Sequence, residues 1–417
     1  MNSRERILTA IDNKEPDRVP IDIGSTTITG ISAIAYYNLK RYLDVKEGNV
    51  RVIDIMQQLA RVENWFIEKF DIDAIDVGRV FWTNEDDWYD IEVNGIKAQF
   101  PRVFQPKFRA DGAIEIVHSD GTVLGRMSNA ALVLDQTYYP FGEDYPEDIN
   151  FSTLSGGVEK NVWSKSYTPP MSNMGEKRFW RNLKEKAIEL KVNSHKALCL
   201  NLNISIFQGT HSFRGMDKIL VDLIRKPKKV QELAELLAQF YLGLLRPICS
   251  HLGEVIDVIT IGDDLAENNG PMLSPKLYRK YFKPYHMEIC QYIKKKSSMK
   301  VFFHTCGSVS ELIPDLIECG VDILNPIQIN ARDMDPKMLK SEFGDDIAFW
   351  GGGVDTRNVL PSKSPEEVKK HVTELLEIFA PGGGFIWNTV HNILPDVPPE
   401  NIVAMLDAVM EYNERNY

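Results

Sequence analysis

Cysteine is scarce in this chain, and its distribution argues against disulfide bonding. The five cysteines are an odd number among 417 residues, and no two of them stand in a C-x-x-C pattern. Disulfide frameworks are typical of short secreted chains with an even number of cysteines. The sequence therefore predicts a protein of a reducing compartment.

Long apolar segments and an excess of basic residues are also missing. No window approaches the roughly 20 apolar residues of a transmembrane helix, and the opening MNSRERILTAIDNKEPDRVP lacks the apolar core of a signal peptide. We therefore expect a cytoplasmic protein without a membrane partner. Lys and Arg number 48 against 59 Asp and Glu, for a formal net charge of -11. Nucleic acid is not an expected partner, because binding to phosphates needs a cationic surplus.

Neither a P-loop nor a G-x-G-x-x-G motif at the start of a helix is present, so a nucleotide cofactor is not expected. What the chain does contain is a series of short apolar, β-branched runs. Such runs are typical of parallel strands that are buried on both faces. We count eight, at 18–25, 71–80, 197–207, 255–265, 299–306, 321–328, 346–353 and 385–392. Eight strands that alternate with helices predict a single (β/α)8 TIM barrel of the α/β class over residues 1–417.

Helix signals between the runs support this alternation. Ser274 and Ser364 each precede a proline and are expected N-caps. Residues 49–70 carry apolar side chains at helical spacing, which predicts one helix. A final helix is expected from Pro399 to about Tyr412.

Residues 81–176 do not fit the alternation and predict a small antiparallel β-rich insertion after the second strand. Alternating runs flank the hairpin dipeptides Asn94-Gly95, Asp111-Gly112 and Asp120-Gly121. Loops after barrel strands lie at the active-site face, so the insertion is expected to form a lid or substrate wall. The alternative is decoration that only covers an edge of the barrel.

His304 and Cys306 lie two residues apart on the fifth predicted strand, so both side chains point to the same face. A neutral imidazole and a thiolate on one face suit a zinc ion. The alternative is a buried core cysteine beside a hydrogen-bonded histidine. Because the pair lies where the strand meets the catalytic mouth of a barrel, metal binding is the favoured interpretation.

A catalytic zinc usually has three protein ligands, so the third must come from another strand. His391, at the end of the eighth predicted strand, is the expected third ligand; the alternative is a histidine packed over the barrel rim. The fifth and eighth strands are not neighbours, so the metal would lie near the barrel axis. Asp263, Asp264 and Glu267 follow the fourth strand and are competing ligands. Otherwise we expect them to orient substrate or act as general acid or base, the alternative being solvated loop carboxylates.

Three further residues stand at the ends of the sixth, seventh and eighth predicted strands. These are Gln328, Trp350 and Asn388. Because barrel enzymes bind their substrates at this end of the strands, we expect all three to contact substrate. For Trp350 the alternative is an aromatic ring packed in the core.

Five stretches of the chain match a known pattern. They read SRERILTAIDNKEPDRVPID, IGDDLAENNGPMLSPKLYRKYFKPY, VFFHTCGSVSELIPDLIECGVDILNPIQ, FWGGGVDT and PGGGFIWNTVHNILPDVPPENIVAM. In them the chain resembles the uroporphyrinogen decarboxylase superfamily, and in particular its branch of corrinoid-dependent zinc methyltransferases. The resemblance covers the start and nearly all of the second half, and it is loose from about 81 to 195. The His-x-Cys motif is its most specific part.

Two departures from the pattern limit what the resemblance implies. The decarboxylases have an arginine-rich N-terminal segment that grips the substrate carboxylates, whereas this chain reads RVPIDIGSTTITG at the corresponding place. Similar zinc methyltransferases have a second cysteine where this chain has His391. Decarboxylation of a tetrapyrrole is therefore in doubt, and the third metal ligand is changed or lost.

The residues and the resemblance together imply a methyltransferase with Zn²⁺ as its metal. It would move a methyl group between a small substrate and the cobalt of a corrinoid (cobalamin) held by a partner protein. The substrate would be a thiol or a methyl ether such as a methoxylated aromatic, and demethylation of an ether, the O-demethylase methyltransferase I type, is favoured. The alternatives are a metal-free decarboxylase and a non-catalytic barrel that binds a corrinoid protein. A homodimer is a candidate assembly.

Overall fold

Parallel strands joined by helices form the frame of the protein, whose computed structural model describes residues 1–129, 131–165 and 174–417. The strands are β1 (Val52–Asp54), β2 (Leu59–Ala60), β3 (Ala74–Asp76), β4 (Trp88–Val93), β5 (Ile96–Pro101), β6 (Lys107–Phe108), β7 (Ile114–Val117), β8 (Val123–Met127), β9 (Asp135–Gln136), β10 (Ala197–Asn201), β11 (Val258–Gly262), β12 (Ala266–Glu267), β13 (Gly270–Pro271), β14 (Lys300–His304), β15 (Ile323–Asn325), β16 (Ala348–Trp350) and β17 (Phe385–Ile386).

The helices surround these strands. They are α1 (Ser3–Ile11), α2 (Ala33–Tyr42), α3 (Asn64–Lys69), α4 (Phe151–Glu159), α5 (Lys177–Ser194), α6 (Phe207–Arg214), α7 (Met216–Arg225), α8 (Pro227–Leu252), α9 (Pro275–Tyr281), α10 (Lys283–Lys296), α11 (Ile313–Cys319), α12 (Pro336–Phe343), α13 (Pro365–Phe379) and α14 (Pro399–Asn416). In the described ranges, every helix is too short or too polar to cross a bilayer.

Seven parallel strands form one curled sheet in the order β17-β16-β15-β14-β11-β10-β3. The gap between the two outer strands is filled by Ile21, which makes parallel bridges to Trp387 and to Ile72. The amide of Ile21 bonds the side chain of Asp73 at 2.9 Å instead of a neighbouring strand, and the preceding Pro20 has no N–H to offer. The first predicted strand is therefore reduced to one residue, Ile21, which bridges both of its neighbours. All eight predicted runs take part in the sheet, and the predicted (β/α)8 barrel is confirmed.

Alternate residues of the strands fill the interior of the barrel. Phe302 and Trp350 are fully buried there and their rings meet edge to face, with centroids 5.3 Å apart. Side chains in a strand alternate between faces, so a residue two positions after Phe302 also faces the interior. That residue is His304, at the carboxyl end of β14.

The predicted helix over 49–70 is wrong in its first two thirds. The segment forms the antiparallel pair β1 and β2 instead, and only Asn64–Lys69 is helical. Gln58 has a φ of 53° between the two strands, which breaks helical geometry. The apolar residues of this segment are buried on both sides of the turn between β1 and β2, and their spacing only resembles that of a helix. This departure brings Asp54 to the end of the barrel where the strands terminate.

The other helix signals behave as expected. The side chain of Ser274 accepts the amide of Leu277, and Ser364 forms a capping box with Glu367. The last helix begins at Pro399 as predicted and continues to Asn416.

Antiparallel structure follows β3, as the hairpin dipeptides predict. β4 pairs with β5 across Asn94-Gly95, and β6, β7, β8 and β9 form a second sheet in that order. This sheet has a small hydrophobic core of its own, which includes Leu124 and Val162 and is joined by Met56 from the barrel side. Residues 130 and 166–173 of the predicted insertion lie outside the described residues.

Candidate functional site

His304 and Cys306 stand at the mouth of the barrel, as the strand pattern predicts. His304 Nε2 lies 3.5 Å from Cys306 Sγ and 3.7 Å from a carboxylate oxygen of Asp264. The chain turns away at Gly307, whose φ is 90° and where a Cβ would stand 2.6 Å from the main chain of Ala266. Only glycine fits this turn, which holds Cys306 against the barrel mouth.

The register of β14 and β15 sets the orientation of the His304 ring. His304 is opposite Asn325 in the parallel ladder, and Asn325 Oδ1 lies 2.6 Å from His304 Nδ1. Asn325 Nδ2 donates to the carbonyl of Trp350 at 2.7 Å, so the amide oxygen must face the ring. Nδ1 of His304 therefore carries the proton, and Nε2 keeps a lone pair for a metal.

His391 reaches the same place from the loop after β17. Its ring centroid lies 5.2 Å from that of His304, and one ligand atom from each of His304, Cys306 and His391 falls within 4.8 Å of the others. The expected position near the barrel axis explains how residues from non-adjacent strands meet. The donor set of two imidazoles and one thiol fits zinc, which prefers nitrogen and sulfur ligands.

The conformation of His391 is less prepared for a metal than that of His304. Its φ is 66°, an unfavourable region for a residue with a Cβ. Its Nδ1 accepts the main-chain N–H of Asn392 at 2.8 Å. The lone pair of Nδ1 is thus engaged, and His391 binds a metal only after this contact opens or the ring turns.

Burial governs the charge states of these groups. It lowers the pKa of His391 to about 3, with a further contribution from the neighbouring His304. It also raises the pKa of the Cys306 thiol well above its ordinary value, and the nearby Asp264 carboxylate adds to this effect. The His391 imidazole is thus neutral, which is the form that binds metals, whereas the Cys306 thiol must lose a proton when a metal binds.

The three acids after β11 have different surroundings. Asp263 is fully buried and accepts the amides of Ile206, Phe207 and Gln208 as well as a bond from His286. It therefore holds the start of α6 in place.

Asp264 lies next to the candidate ligands. One of its oxygens accepts the amide of Cys306 at 2.8 Å, and the other accepts Gln208 Nε2 at 2.8 Å. The side chain of Glu267 is exposed on the short β12–β13 hairpin. The structure thus brings only Asp264 of the three acids into contact with the ligand cluster.

The three expected substrate residues bond other parts of the protein. Trp350 is buried in the barrel interior and donates to Asp22 at 2.9 Å, and Asn388 is buried beside it and bonds the carbonyl of Asp22. Gln328 accepts the amide of Gly307 at 2.8 Å. None of the three lines the cavity at the barrel mouth.

That cavity, the inner cavity, measures about 220 Å³, and its wall includes His304, His391 and Asp264. It also includes Asp54, which the sequence did not single out. The Asp54 side chain accepts the amides of Met56 and Gln57, and burial raises its pKa.

An outer cavity of about 270 Å³ adjoins the inner one. The two share Trp163, Asn203 and Gln208 in their walls. The outer wall also draws on α4, α6 and α8, so segments distant in sequence build it together. This composite origin left no local signal in the sequence.

Comparisons with known proteins agree with this architecture. A uroporphyrinogen decarboxylase from Pseudoalteromonas translucida is 29% identical over 155 residues, which are 35% of this chain and 40% of the relative. One from Hydrogenovibrio crunogenus is 23% identical over 210 residues, which are 49% of this chain and 54% of the relative. The chain thus spans about half or less of the length of these curated relatives.

A solved structure covers the whole chain. It is a methyltransferase from Methanosarcina mazei, with a TM-score of 0.59, 13% sequence identity and 99% of both chains covered, and this likeness concerns the fold. The family description "Uroporphyrinogen decarboxylase (URO-D)" matches residues 201–412, slightly more than half of the chain. The chain belongs to the uroporphyrinogen decarboxylase (URO-D) family.

Proposed function

We propose that the protein is a zinc-dependent methyltransferase that moves a methyl group between a small substrate and the cobalt of a corrinoid carried by a partner protein. The observation that carries the proposal is the meeting of His304, Cys306 and His391, two of which, His304 and His391, line the inner cavity. A structural zinc site would be closed by four protein ligands, whereas three ligands leave a position for substrate.

Bound zinc would act as a Lewis acid toward a substrate oxygen or sulfur. It would favour the thiolate form of a thiol, or stabilise the oxyanion that a methyl ether leaves behind. The protein's own groups do the remaining work. Asn325 keeps Nε2 of His304 free of a proton, and Asp264 holds the main chain at Cys306. Asp264 also lies on the cavity wall, where it would orient substrate or exchange a proton with it.

Demethylation of a methyl ether, such as a methoxylated aromatic, is the favoured direction, and a thiol is the other substrate that this donor set would serve. The partner is a corrinoid protein, and the reaction belongs in the cytoplasm. The structural likeness to a protein described as a methyltransferase supports this choice within the family.

Decarboxylation of uroporphyrinogen is the second candidate, because the curated relatives carry that name. A substrate with many carboxylates needs cationic partners. Among the described residues that line the inner cavity, none is Lys or Arg. This charge pattern favours the methyltransferase. A non-catalytic barrel would bind a corrinoid protein without turnover.

The test is a methyl-transfer assay with zinc-loaded protein, free cob(I)alamin as acceptor and a panel of methoxylated aromatics and methyl thioethers. We expect the absorbance spectrum of methylcobalamin to develop with at least one donor, and to fail to develop with Cys306→Ser. Release of carbon dioxide from uroporphyrinogen by metal-free protein would instead establish the decarboxylase. Absence of both activities would contradict the proposal and favour the non-catalytic barrel.

A further inference from the structure

The outer cavity is suited to an organic group attached to whatever reacts in the inner cavity. Its volume of about 270 Å³ exceeds the roughly 150 Å³ that holds benzene in an engineered protein cavity. Gln208 stands in the walls of both cavities and bonds Asp264 at 2.8 Å. A molecule of one substituted ring in the outer cavity would thus extend toward the metal-ligand cluster.

Aromatic side chains dominate the apolar part of the wall. They are Tyr139, Trp163, Phe213, Phe240 and Tyr241. Rings of this kind pack favourably against another aromatic ring, by offset stacking or edge to face. The polar part of the wall carries no charge. Among the described residues that line this cavity, none is Asp, Glu, Lys or Arg. A carboxylate or phosphate placed here would lose its hydration without gaining a cation.

His211 adds a specific polar feature to this wall. The residue is 8% exposed, and its Nε2 is buried without a hydrogen-bond partner in the described part of the chain. Burial lowers its pKa to about 4, so the ring is neutral near neutral pH. A buried nitrogen without a partner is costly in a native protein, and a hydrogen bond from a bound molecule would remove that cost.

We propose that the outer cavity binds the organic group of the methyl donor, and that this group is an uncharged aromatic ring with a hydroxyl or N–H that bonds His211. This inference rests on the proposed function for the identity of the reaction, and it adds the charge and hydrogen-bonding character of the substrate. His211 is accordingly a specificity-determining residue. The inner cavity takes the methyl-bearing atom, and the outer cavity takes the ring.

Three probes that differ in one substituent test the proposal by calorimetric titration of the purified protein alone. Anisole is a plain methoxy ring, guaiacol adds a hydroxyl beside the methoxy group, and ortho-methoxybenzoate adds a carboxylate at the same position. We expect guaiacol to bind about tenfold more tightly than anisole, because one hydrogen bond to a buried group is gained. The benzoate should bind more weakly than anisole. Equal affinity of all three, or preference for the benzoate, would overturn the proposal.

Variants of the wall assign the effect to this cavity. His211→Leu should abolish the preference for guaiacol over anisole, and His211→Gln, which keeps hydrogen-bonding capacity, should restore part of it. Val158 lines the cavity from α4 and is only partly buried. Val158→Lys should strengthen binding of ortho-methoxybenzoate about tenfold or more, whereas the uncharged control Val158→Gln should not. Unchanged selectivity in His211→Leu and Val158→Lys would place the ring elsewhere and contradict the proposal.

These measurements are independent of methyl transfer. If the ring binds as described but methylcobalamin never forms, the proposed function fails and the binding site stands. If methyl transfer proceeds from donors that ignore the His211 and Val158 variants, the proposed function stands and this inference fails.

Discussion

Asn325 Oδ1 lies 2.6 Å from His304 Nδ1, and this contact fixes which nitrogen of the histidine faces the cavity. The relationship arises from strand register, because the two residues are opposite one another in the ladder of β14 and β15. Metal-binding histidines commonly donate their other ring N–H to an oxygen, which holds the ring and its tautomer. The contact follows from strand register, so it belongs to the fold.

Replacing Asn325 by leucine should weaken zinc binding. The leucine removes the oxygen that holds the Nδ1 proton of His304, and loss of such a partner typically costs about 10–100-fold in metal affinity. Competition with a chromophoric chelator measures the effect. Asn325→Asp is the matched control, since it keeps an acceptor, and it should retain most of the affinity. Equal affinity of the leucine variant and wild type would show that Asn325 does not orient the ligand.

Cys306 and His391 should contribute unequally to zinc affinity. Cys306→Ser removes the thiolate, which is the softest donor of the set, and should cost more affinity than any other single change. His391→Ala should cost less, because His391 must first give up its contact with the Asn392 amide. Metal analysis after dialysis against graded chelator concentrations ranks the variants. Full zinc retention in both variants would refute the zinc site, and a larger loss in His391→Ala would reverse the assigned order.

Asp264 should matter for turnover more than for metal binding. It bonds the Cys306 amide and lies on the inner cavity wall, so Asp264→Asn keeps hydrogen-bonding capacity and removes the charge. We expect kcat to fall about 100-fold or more, which is the usual contribution of a general acid or base, with zinc content preserved. Glu267→Gln is the control, because Glu267 is exposed and should leave kcat unchanged. A loss of zinc in Asp264→Asn would identify Asp264 as a ligand instead.

The fold and the proximity of His304 to Cys306 could be predicted from the sequence because both depend on strand periodicity. His304 and Cys306 could be paired since they lie two positions apart on a strand whose end was marked by Gly307. Asp263 and Asp264 could not be told apart, because they follow the last strand residue, where alternation no longer fixes direction. Only the tertiary structure shows that Asp263 accepts an amide of α6, whereas Asp264 accepts the amide of Cys306.

Asp54 was missed for a different reason. The apolar residues of 49–70 fit helical spacing, and a helix would have kept Asp54 away from the strand ends. The segment forms two short strands instead, and this places the carboxylate in the inner cavity wall. The spacing of apolar residues cannot distinguish one helix from two short strands when both structures would bury the same side chains.

Disturbing the antiparallel insertion should impair substrate binding more than barrel stability. Leu124 is fully buried in the small core of the second antiparallel sheet, whereas Leu198 is fully buried in the barrel core. Leu124→Ala should loosen the wall that carries Gln136, and we expect a higher KM with normal zinc content. Leu198→Ala should lower the thermal unfolding midpoint instead, since large-to-small core changes cost about 2–5 kcal/mol. If Leu124→Ala unfolds the protein as readily as Leu198→Ala, the insertion is part of the barrel core and not a separate substrate wall.

Asp76 should make the protein less stable as pH rises from mildly acidic to neutral. Burial raises the pKa of Asp76 from 3.8 to about 6, against hydrogen bonds from Gly78 and Asn201 that lower it. Between these two pKa values the folded protein holds a proton on Asp76 that the unfolded chain releases. The protonated Asp76 therefore stabilises the fold at low pH, and this contribution is lost as pH rises through the folded pKa. The pKa difference of about two units corresponds to about 3 kcal/mol.

Asp76→Asn removes this ionisation and keeps a side-chain oxygen for the amide of Gly78. Its free energy of unfolding relative to wild type should therefore rise by up to about 3 kcal/mol between about pH 4 and pH 7, as measured by urea denaturation. Asp17→Asn is the control: hydrogen bonds from Arg6 and the N-terminus outweigh burial and lower the pKa of Asp17 to about 2, so its contribution changes only in more acidic solution. The difference between Asp17→Asn and wild type should accordingly be flat over the same range. A flat difference for Asp76→Asn as well would mean that the buried carboxylate is ionised throughout and is stabilised by Arg61 and Arg79, the two cations that lower its pKa.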